Sequence, residues 1–450
     1  MHTRMHRLRV LGLACALACA CVVAMAFGIR QLRRSARVAV QTPPTEATPL
    51  APLAHTEPAP KPEMPRELDG APVAGLDLLH IRSGPNGLVA PANGGTAALT
   101  LDPELQSEAA RILAAHHLPE AAVVLMDLAT GHVLVYANHV EEGPLRDLCA
   151  EASAPSASVF KIVTAAALVE DAHLGADTKE CYSGGEQRIG ANDLTPDPSR
   201  DRWCATLAGA MGRSINTIFA RLAKEHLAPQ ELEVMARRFG YGDALPFDVP
   251  VQASALHVPS ESLEFARTAA GFWNTTMSPL EAIEISAIVA RGGETIRPSL
   301  VSNVTSPSGS VLWSAPDAAP AHRAIAKETA EELATMMSHT VSEGTSYRAF
   351  HDGRGKAFLP GIAVAGKTGT LTHAETRHFY TWFTGFAPMK ADPDVPRVAI
   401  AVLVVNGPTW QVKANVVARD VLRAYFAAHD ADGVTRPGAV SAKSVARHKR

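Results

Sequence analysis

Hydrophobic and polar positions change their period several times along this chain. From Val10 to Ile29 no charge interrupts the run VLGLACALACACVVAMAFGI. Its length as a helix is about 30 Å, the thickness of a bilayer's hydrocarbon core. The run predicts a single membrane-spanning anchor over residues 1–37. Ala24-Met25-Ala26 leaves a cleaved signal peptide as the alternative, but Arg30, Arg33 and Arg34 just beyond it would hinder export after such a cut. Arginines flank both ends, so charge alone does not orient the segment. Residues 38–97 are rich in Pro, Ala, Thr and Gly and show no sustained period, which predicts an extended, semi-stiff linker.

Periodicity begins at Leu99. LTLDPELQSEAARILAAHH predicts a helix with Asp102 as N-cap and Pro103 at its first position. AAVVLMDLATGHVLVYAN predicts a hairpin turning at Ala129-Thr130-Gly131. Helical stretches follow between about 156 and 290. Strands return at 380–388 and 395–407, and a last amphipathic helix runs through VKANVVARDVLRAYFAAH. One α/β domain over 98–429 follows, with a largely antiparallel sheet from the first hairpin and the last strands, packed between helices. Residues 430–450 read as a basic disordered tail.

Composition allows a sizeable core, with 47% hydrophobic and 19% charged residues. The net charge of −3 gives no electrostatic reason to expect nucleic acid as a partner. No Cys/His spacing of metal-site type and no H-E-x-x-H occur, so neither metal nor cofactor is expected. Cys15, Cys19 and Cys21 lie in the apolar run. Cys149, Cys181 and Cys204 are left for the domain, and their odd number leaves at least one thiol free or intermolecular.

Three short motifs carry the chemistry, each occurring once. Ser158-Val159-Phe160-Lys161 places a hydroxyl and an amine on one helix face. Burial and the helix dipole favour the neutral amine, which can take the serine proton. Ser214-Ile215-Asn216 offers a hydroxyl to relay a proton and an amide to bond a substrate amide. Lys367-Thr368-Gly369-Thr370 lies in a strand-like run. Its lysine and hydroxyls can hold a terminal carboxylate, and Gly369 lets a substrate approach closely.

This triplet resembles the S-x-x-K, S-D-N and K-T-G signature of class A β-lactamases and penicillin-binding proteins, with Ile215 where an aspartate would be more β-lactamase-like, and residues 98 to about 428 resemble a penicillin-binding transpeptidase domain. LTLDPELQ, MDLATGHVLVYAN, MSPLEAIEISAIVARGGETIRPSLV, VSEGTSYRAF and WFTGFAP extend the resemblance beyond the motifs. It implies a transpeptidase/β-lactamase-like fold. It implies Ser158 as nucleophile, Lys161 as base, Ser214 and Asn216 as the second motif, and Lys367, Thr368 and Thr370 as carboxylate and oxyanion contacts. The implied reaction is peptidoglycan D,D-transpeptidation, with stem peptides and β-lactams as partners, at the cytoplasmic membrane with the catalytic domain in the periplasm. Other cell-wall synthesis proteins are possible partners. The alternatives are a D,D-carboxypeptidase, a β-lactamase and a β-lactam sensor. No Glu followed four residues later by Asn, the expected deacylation pair, lies between the second and third motifs. Gly271-Phe272-Trp273-Asn274 departs from the family's glycine-bracketed turn. No glycosyltransferase or large accessory domain is expected. In an oxidising compartment Cys181 and Cys204, on either side of a loop before Ser214, would form a disulfide that stiffens the approach to it; two free thiols are the alternative. His373 and His378 read as strand-end surface residues.

Overall fold

The computed structural model describes residues 73–185, 188–315, 321–372, 377–392 and 395–431, all inside one compact unit, Pro65–Arg450. The apolar run from Val10, the linker up to residue 72, His373 and the tail beyond residue 431 lie outside the described residues. Among the described residues no helix is long and apolar enough to cross a membrane.

Strands β1 Arg82–Gly84, β2 Gly87–Ala92 and β3 Gly95–Leu99 come first. Helix α1 Pro103–Ala114 and the hairpin β4 Glu120–Asp127 and β5 Val133–Val140 follow. The middle holds β6 Ala154–Pro155, α2 Lys161–Glu170, β7 Lys179–Tyr182, β8 Trp203–Thr206, α3 Leu207–Arg213 and α4 Asn216–His226. Next are α5 Pro229–Arg238, α6 Ser262–Ala269, β9 Thr276–Met277 and α7 Pro279–Ala290. The last part runs β10 Val301–Thr305, β11 Val311–Ser314, α8 Lys327–Ser342, α9 Tyr347–Phe350, β12 Ala365–Thr372, β13 Phe379–Ala387, β14 Val398–Asn406 and α10 Ala414–Ala431.

The central sheet has the order β12-β13-β14-β4-β5. Every neighbouring pair is antiparallel, so the first hairpin does close on the last strands. Both faces are covered, which is why β14 reads as an unbroken apolar run. Ala399, Ala401, Leu403 and Val405 enter the core shared with α7. Val398, Ile400, Val402 and Val404 enter the core shared with α1 and α10. Local signals held where the chemistry is local. Asp102 accepts from the Glu104 and Leu105 N–H groups and starts α1 beside Pro103. Asp127 Oδ1 accepts from the Ala129 and Thr130 N–H groups, and Gly131 takes φ 77° to close the hairpin.

The linker expected over residues 38–97 is shorter than that. Val73, the first described residue, already donates its N–H to the Asp248 carbonyl at 2.7 Å. β1, β2 and β3 join β10 and β11 in a second five-stranded antiparallel sheet. The strands β1 to β3 are short and rich in Gly and Ala, with a Pro in β2, and so carry little strand signal. What stabilises them is pairing with β10, some two hundred residues further on, and the burial of Ala90, Ala97 and Leu99.

Helix α7 is buried along its whole length. It carries two acids, Glu281 and Glu284, into the core. Burial drives Glu281 well above the carboxylate range, with Glu284 and Asp243 adding to it. Burial pushes Glu284 up to about 8, against the Ile296 N–H that bonds its Oε1. An unfolded glutamate titrates near ~4.3, so the folded chain holds the extra proton above that value. This contribution is whole at low pH and is lost as pH rises toward about 8. Glu284→Gln keeps an acceptor for Ile296 and cannot ionise. It should raise the thermal midpoint more at pH 8 than at pH 5; an equal change at both would show that Glu284 does not titrate in this range.

Candidate active site

The segment before Ser158 is held on three sides. β6 pairs with β9. The Trp382 indole N–H donates to the Pro155 carbonyl at 2.9 Å. The Tyr241 hydroxyl donates to Ser156 Oγ at 3.0 Å. Ala157 is forced to φ 49°, a strained value for a residue with a Cβ. Ser158 then sits in a single 3₁₀ turn, Ala157–Phe160, that runs directly into α2. Gly271 explains the departure noted in the sequence. A Cβ there would lie 2.3 Å from the Ala157 carbonyl oxygen, and Gly271 has φ 79°. The turn through Asn274 thus backs the serine segment without touching it through a side chain at Gly271.

Lys161 is fully buried. Its Nζ lies 2.8 Å from Ser158 Oγ, 2.7 Å from Asn216 Oδ1 and 2.5 Å from the Ala270 carbonyl. Burial holds the amine well below the usual lysine range, and the charge of Lys367 pushes the same way. A neutral amine has two N–H groups and one lone pair. Asn216 and Ala270 accept the two hydrogens, so the lone pair is left to accept the Ser158 hydroxyl proton. The geometry therefore favours the state in which Ser158 is activated.

The second and third motifs meet across the same cleft. Ser214 caps α3 in the left-handed region, φ 59°, and Asn216 opens α4. Lys367 on β12 is fully buried and donates to Ser214 Oγ at 2.9 Å and to the Thr368 carbonyl at 2.8 Å. Burial lowers it to about 7. β12 is the edge of the central sheet, with its other side toward the Ser158 turn. Gly369 serves this approach in a way the sequence did not reveal. A Cβ there would come within 3.2 Å of Ala157 Cβ and Trp382 Cβ, so the glycine admits the serine segment itself. A cavity of about 230 Å³ is lined by Ser158, Ser214, Asn216, Thr368, Gly369 and Thr370, with the lysines of the first and third motifs buried behind it.

Thr345, Thr381, Trp382, Lys413, Ala414 and Asn415 line the same cavity and were not singled out from the sequence. Thr345 Oγ1 lies 2.6 Å from Thr368 Oγ1. Thr345 and Trp382 had a signal, in the stretches VSEGTSYRAF and WFTGFAP. His378 does not line the cavity.

Cys181 and Cys204 are joined in a disulfide across β7 and β8, where they face each other in register. Cys149 is free and buried. The loop between the bridged cysteines is tied to α4, the helix that begins at Asn216. Thr217 Oγ1 donates to the Gly184 carbonyl at 2.7 Å. Arg221 donates to the carbonyls of Asp193 and Cys181 at 2.6 Å each and pairs with Asp201 at 2.7 Å. The Arg221 guanidinium holds the Asp201 carboxyl down at about 2.

A serine and a proton-accepting lysine at a helix start, a second serine on a buried lysine, and an edge strand beside them are the parts of a serine acyl-transfer site. The profile of the penicillin binding protein transpeptidase domain matches residues 121–423, and the chain belongs to that family. It is 30% identical over 274 residues to the peptidoglycan D,D-transpeptidase PbpA of Mycobacterium tuberculosis, covering 59% of this chain and 52% of that protein. It is 24% identical over 340 residues to stage V sporulation protein D of Bacillus subtilis, covering 70% of this chain and 50% of that one. The chain thus spans about half the length of these curated relatives. The crystallised D,D-transpeptidase domain of a peptidoglycan glycosyltransferase from Eggerthella lenta aligns with TM-score 0.60 and 25% identity, over 79% of this chain and 90% of that one. PbpA of M. tuberculosis aligns with TM-score 0.57 and 24% identity, over 75% and 82%.

Lys161→Met should remove nearly all acylation of Ser158 by benzylpenicillin, because the replacement fills the space and takes no proton. Intact-mass spectrometry reads the adduct and circular dichroism the fold; near-normal acylation would place the base elsewhere. Arg221→Leu leaves Asp201 and three loop carbonyls without their partner. It should cost about 3–5 kcal/mol in a denaturant titration. A loss under about 1 kcal/mol would mean the loop supports itself, as surface pairs do.

Proposed function

We propose that this chain is a peptidoglycan D,D-transpeptidase that works through a Ser158 acyl-enzyme. The observation that carries the reading is the contact of one buried amine, Lys161, with Ser158 Oγ, Asn216 and the Ala270 carbonyl at once. The donor is a stem peptide ending in D-Ala-D-Ala, laid along the β12 edge. Lys161 takes the Ser158 proton as Oγ attacks the penultimate carbonyl carbon. Backbone N–H groups of Ser158 and Thr370 stabilise the oxyanion. The tetrahedral centre collapses, the C–N bond breaks, and the amine of D-Ala leaves with a proton passed through Ser214. An amine of a second stem then attacks the ester. The new C–N bond forms, the C–O bond to Ser158 breaks, and the amine's proton returns to Ser158 through Lys161.

The lining of the cavity supports transfer over β-lactam hydrolysis. No Asp or Glu is among its described lining residues. A catalytic β-lactamase needs a base that activates water against the ester. PbpA of M. tuberculosis has been crystallised as imipenem and penicillin G acyl-enzyme complexes, which supports covalent β-lactam capture by this chain too. The Cys181–Cys204 disulfide is of the kind that forms outside the cytoplasm. We place the catalytic unit in the periplasm, held to the cytoplasmic membrane by the Val10–Ile29 run with its N-terminus inside. Other cell-wall synthesis proteins are its natural partners there.

Benzylpenicillin should add its full mass once, on Ser158, and the ester should last many minutes; Ser158→Ala should give no adduct. Rapid loss of the adduct with catalytic release of penicilloate would identify a β-lactamase. With a D-Ala-D-Ala pentapeptide the expected product is the cross-linked dimer. Hydrolysed tetrapeptide alone would identify a carboxypeptidase.

A further inference from the structure

The cavity does not end at the third motif. Its wall continues from Thr368 and Thr370 to Thr381, Lys413 and Asn415. Strand register brings this about. Thr370 pairs with Thr381 across β12 and β13, so both side chains lie on one face of the sheet. The Ala414 N–H, at the first residue of α10, donates to Thr381 Oγ1 at 3.2 Å. The start of α10 is thereby fastened to the strand next to Thr370, and Lys413 comes just before it.

Lys413 is held there by rings. Its Nζ lies 5.2 Å from the centroid of Trp410, and Trp410 stacks on Phe379 with centroids 4.7 Å apart. Among the described residues no carboxylate pairs with it. The other described lining residues are hydroxyls, amides, an indole and small side chains, so Lys413 is the one formal charge among them. Hydroxyl groups both donate and accept, so the threonines can bond a carboxylate or a neutral amide about equally well. Lys367 sits behind the wall with its hydrogens already on Ser214 and the Thr368 carbonyl. Telling a charged end from a neutral one therefore needs a further cation, and the fold supplies one on the same wall.

We propose that Lys413 is a specificity residue, reading the negative charge at the C-terminal end of the donor and so selecting a free carboxylate over a neutral end. The inference rests on the function proposed above. It adds that α10 and the loop before it, and not only the three motifs, contribute to donor choice.

The test uses the full chain and two probes of one shape, benzylpenicillin and its methyl ester. Acylation rates of Ser158 are read by intact mass at several salt concentrations. Lys413→Met should slow the acid by about five- to twentyfold, as expected for loss of one partly screened charge pair. The ester should be unaffected. Lys413→Arg should keep most of the preference for the acid. Added salt should slow the acid in the parent chain and have little effect in Lys413→Met. Equal slowing of acid and ester would assign Lys413 a merely steric part and overturn the proposal, as would no slowing of either in a variant whose circular dichroism matches the parent. If the parent chain gives no Ser158 adduct with either probe, the proposed function falls and this inference with it. If the parent is acylated and Lys413→Met behaves identically, only the inference falls.

Discussion

The site depends on two lysine amines buried behind one cavity, with no carboxylate paired to either among the described residues. Lys161 and Lys367 are both fully buried. A charged amine in such a place loses hydration that hydrogen bonds replace only in part. Each amine therefore sits well below its ordinary range, and each is placed against hydroxyls and carbonyls. An acid placed against Lys161 would hold the proton on it and end its use as a base. The absence of Asp and Glu from the described cavity lining thus suits the proposed use of Lys161 as a base.

Everything around this pair serves to keep it dry and in register. The central sheet is covered on both faces although β12 is its edge strand. Gly369 and Gly271 allow two backbones to close on the Ser158 turn from opposite sides. The Trp382 and Tyr241 side chains then tie the turn to β13 and to the chain after α5. The second motif has its own brace, the bridged β7 and β8 hairpin joined to α4 through Thr217 and Arg221. Removing mobility from three segments distant in sequence is what brings their side chains to within hydrogen-bond distance of one another.

Much of this was legible residue by residue. The three motifs, the cap at Asp102, the hairpin at Gly131, the last strands and the last helix are each short-range patterns. Caps, turns and alternation act within a few residues, so they can be read without knowing the fold. The first sheet could not be read this way. Its first three strands are short and rich in Gly and Ala, and they join the rest of the sheet through β10, far along the chain. The third ligand of Lys161 was hidden for a different reason, since the Ala270 carbonyl is a backbone atom that any residue could supply.

The sequence by itself determined the chemical groups and their order: which serine stands three residues before a lysine, which lysine lies in a strand, and which segments are apolar enough to form the sheet. It determined these because they rest on covalent spacing and local periodicity. Tertiary structure alone decided which faces meet. It brought Gly369 against the Ser158 turn, set Lys413 and Asn415 on the wall of the Ser158 cavity, and gave Lys161 the Ala270 carbonyl. Those outcomes follow from strand register and the burial of distant surfaces against each other, and no local pattern encodes either one.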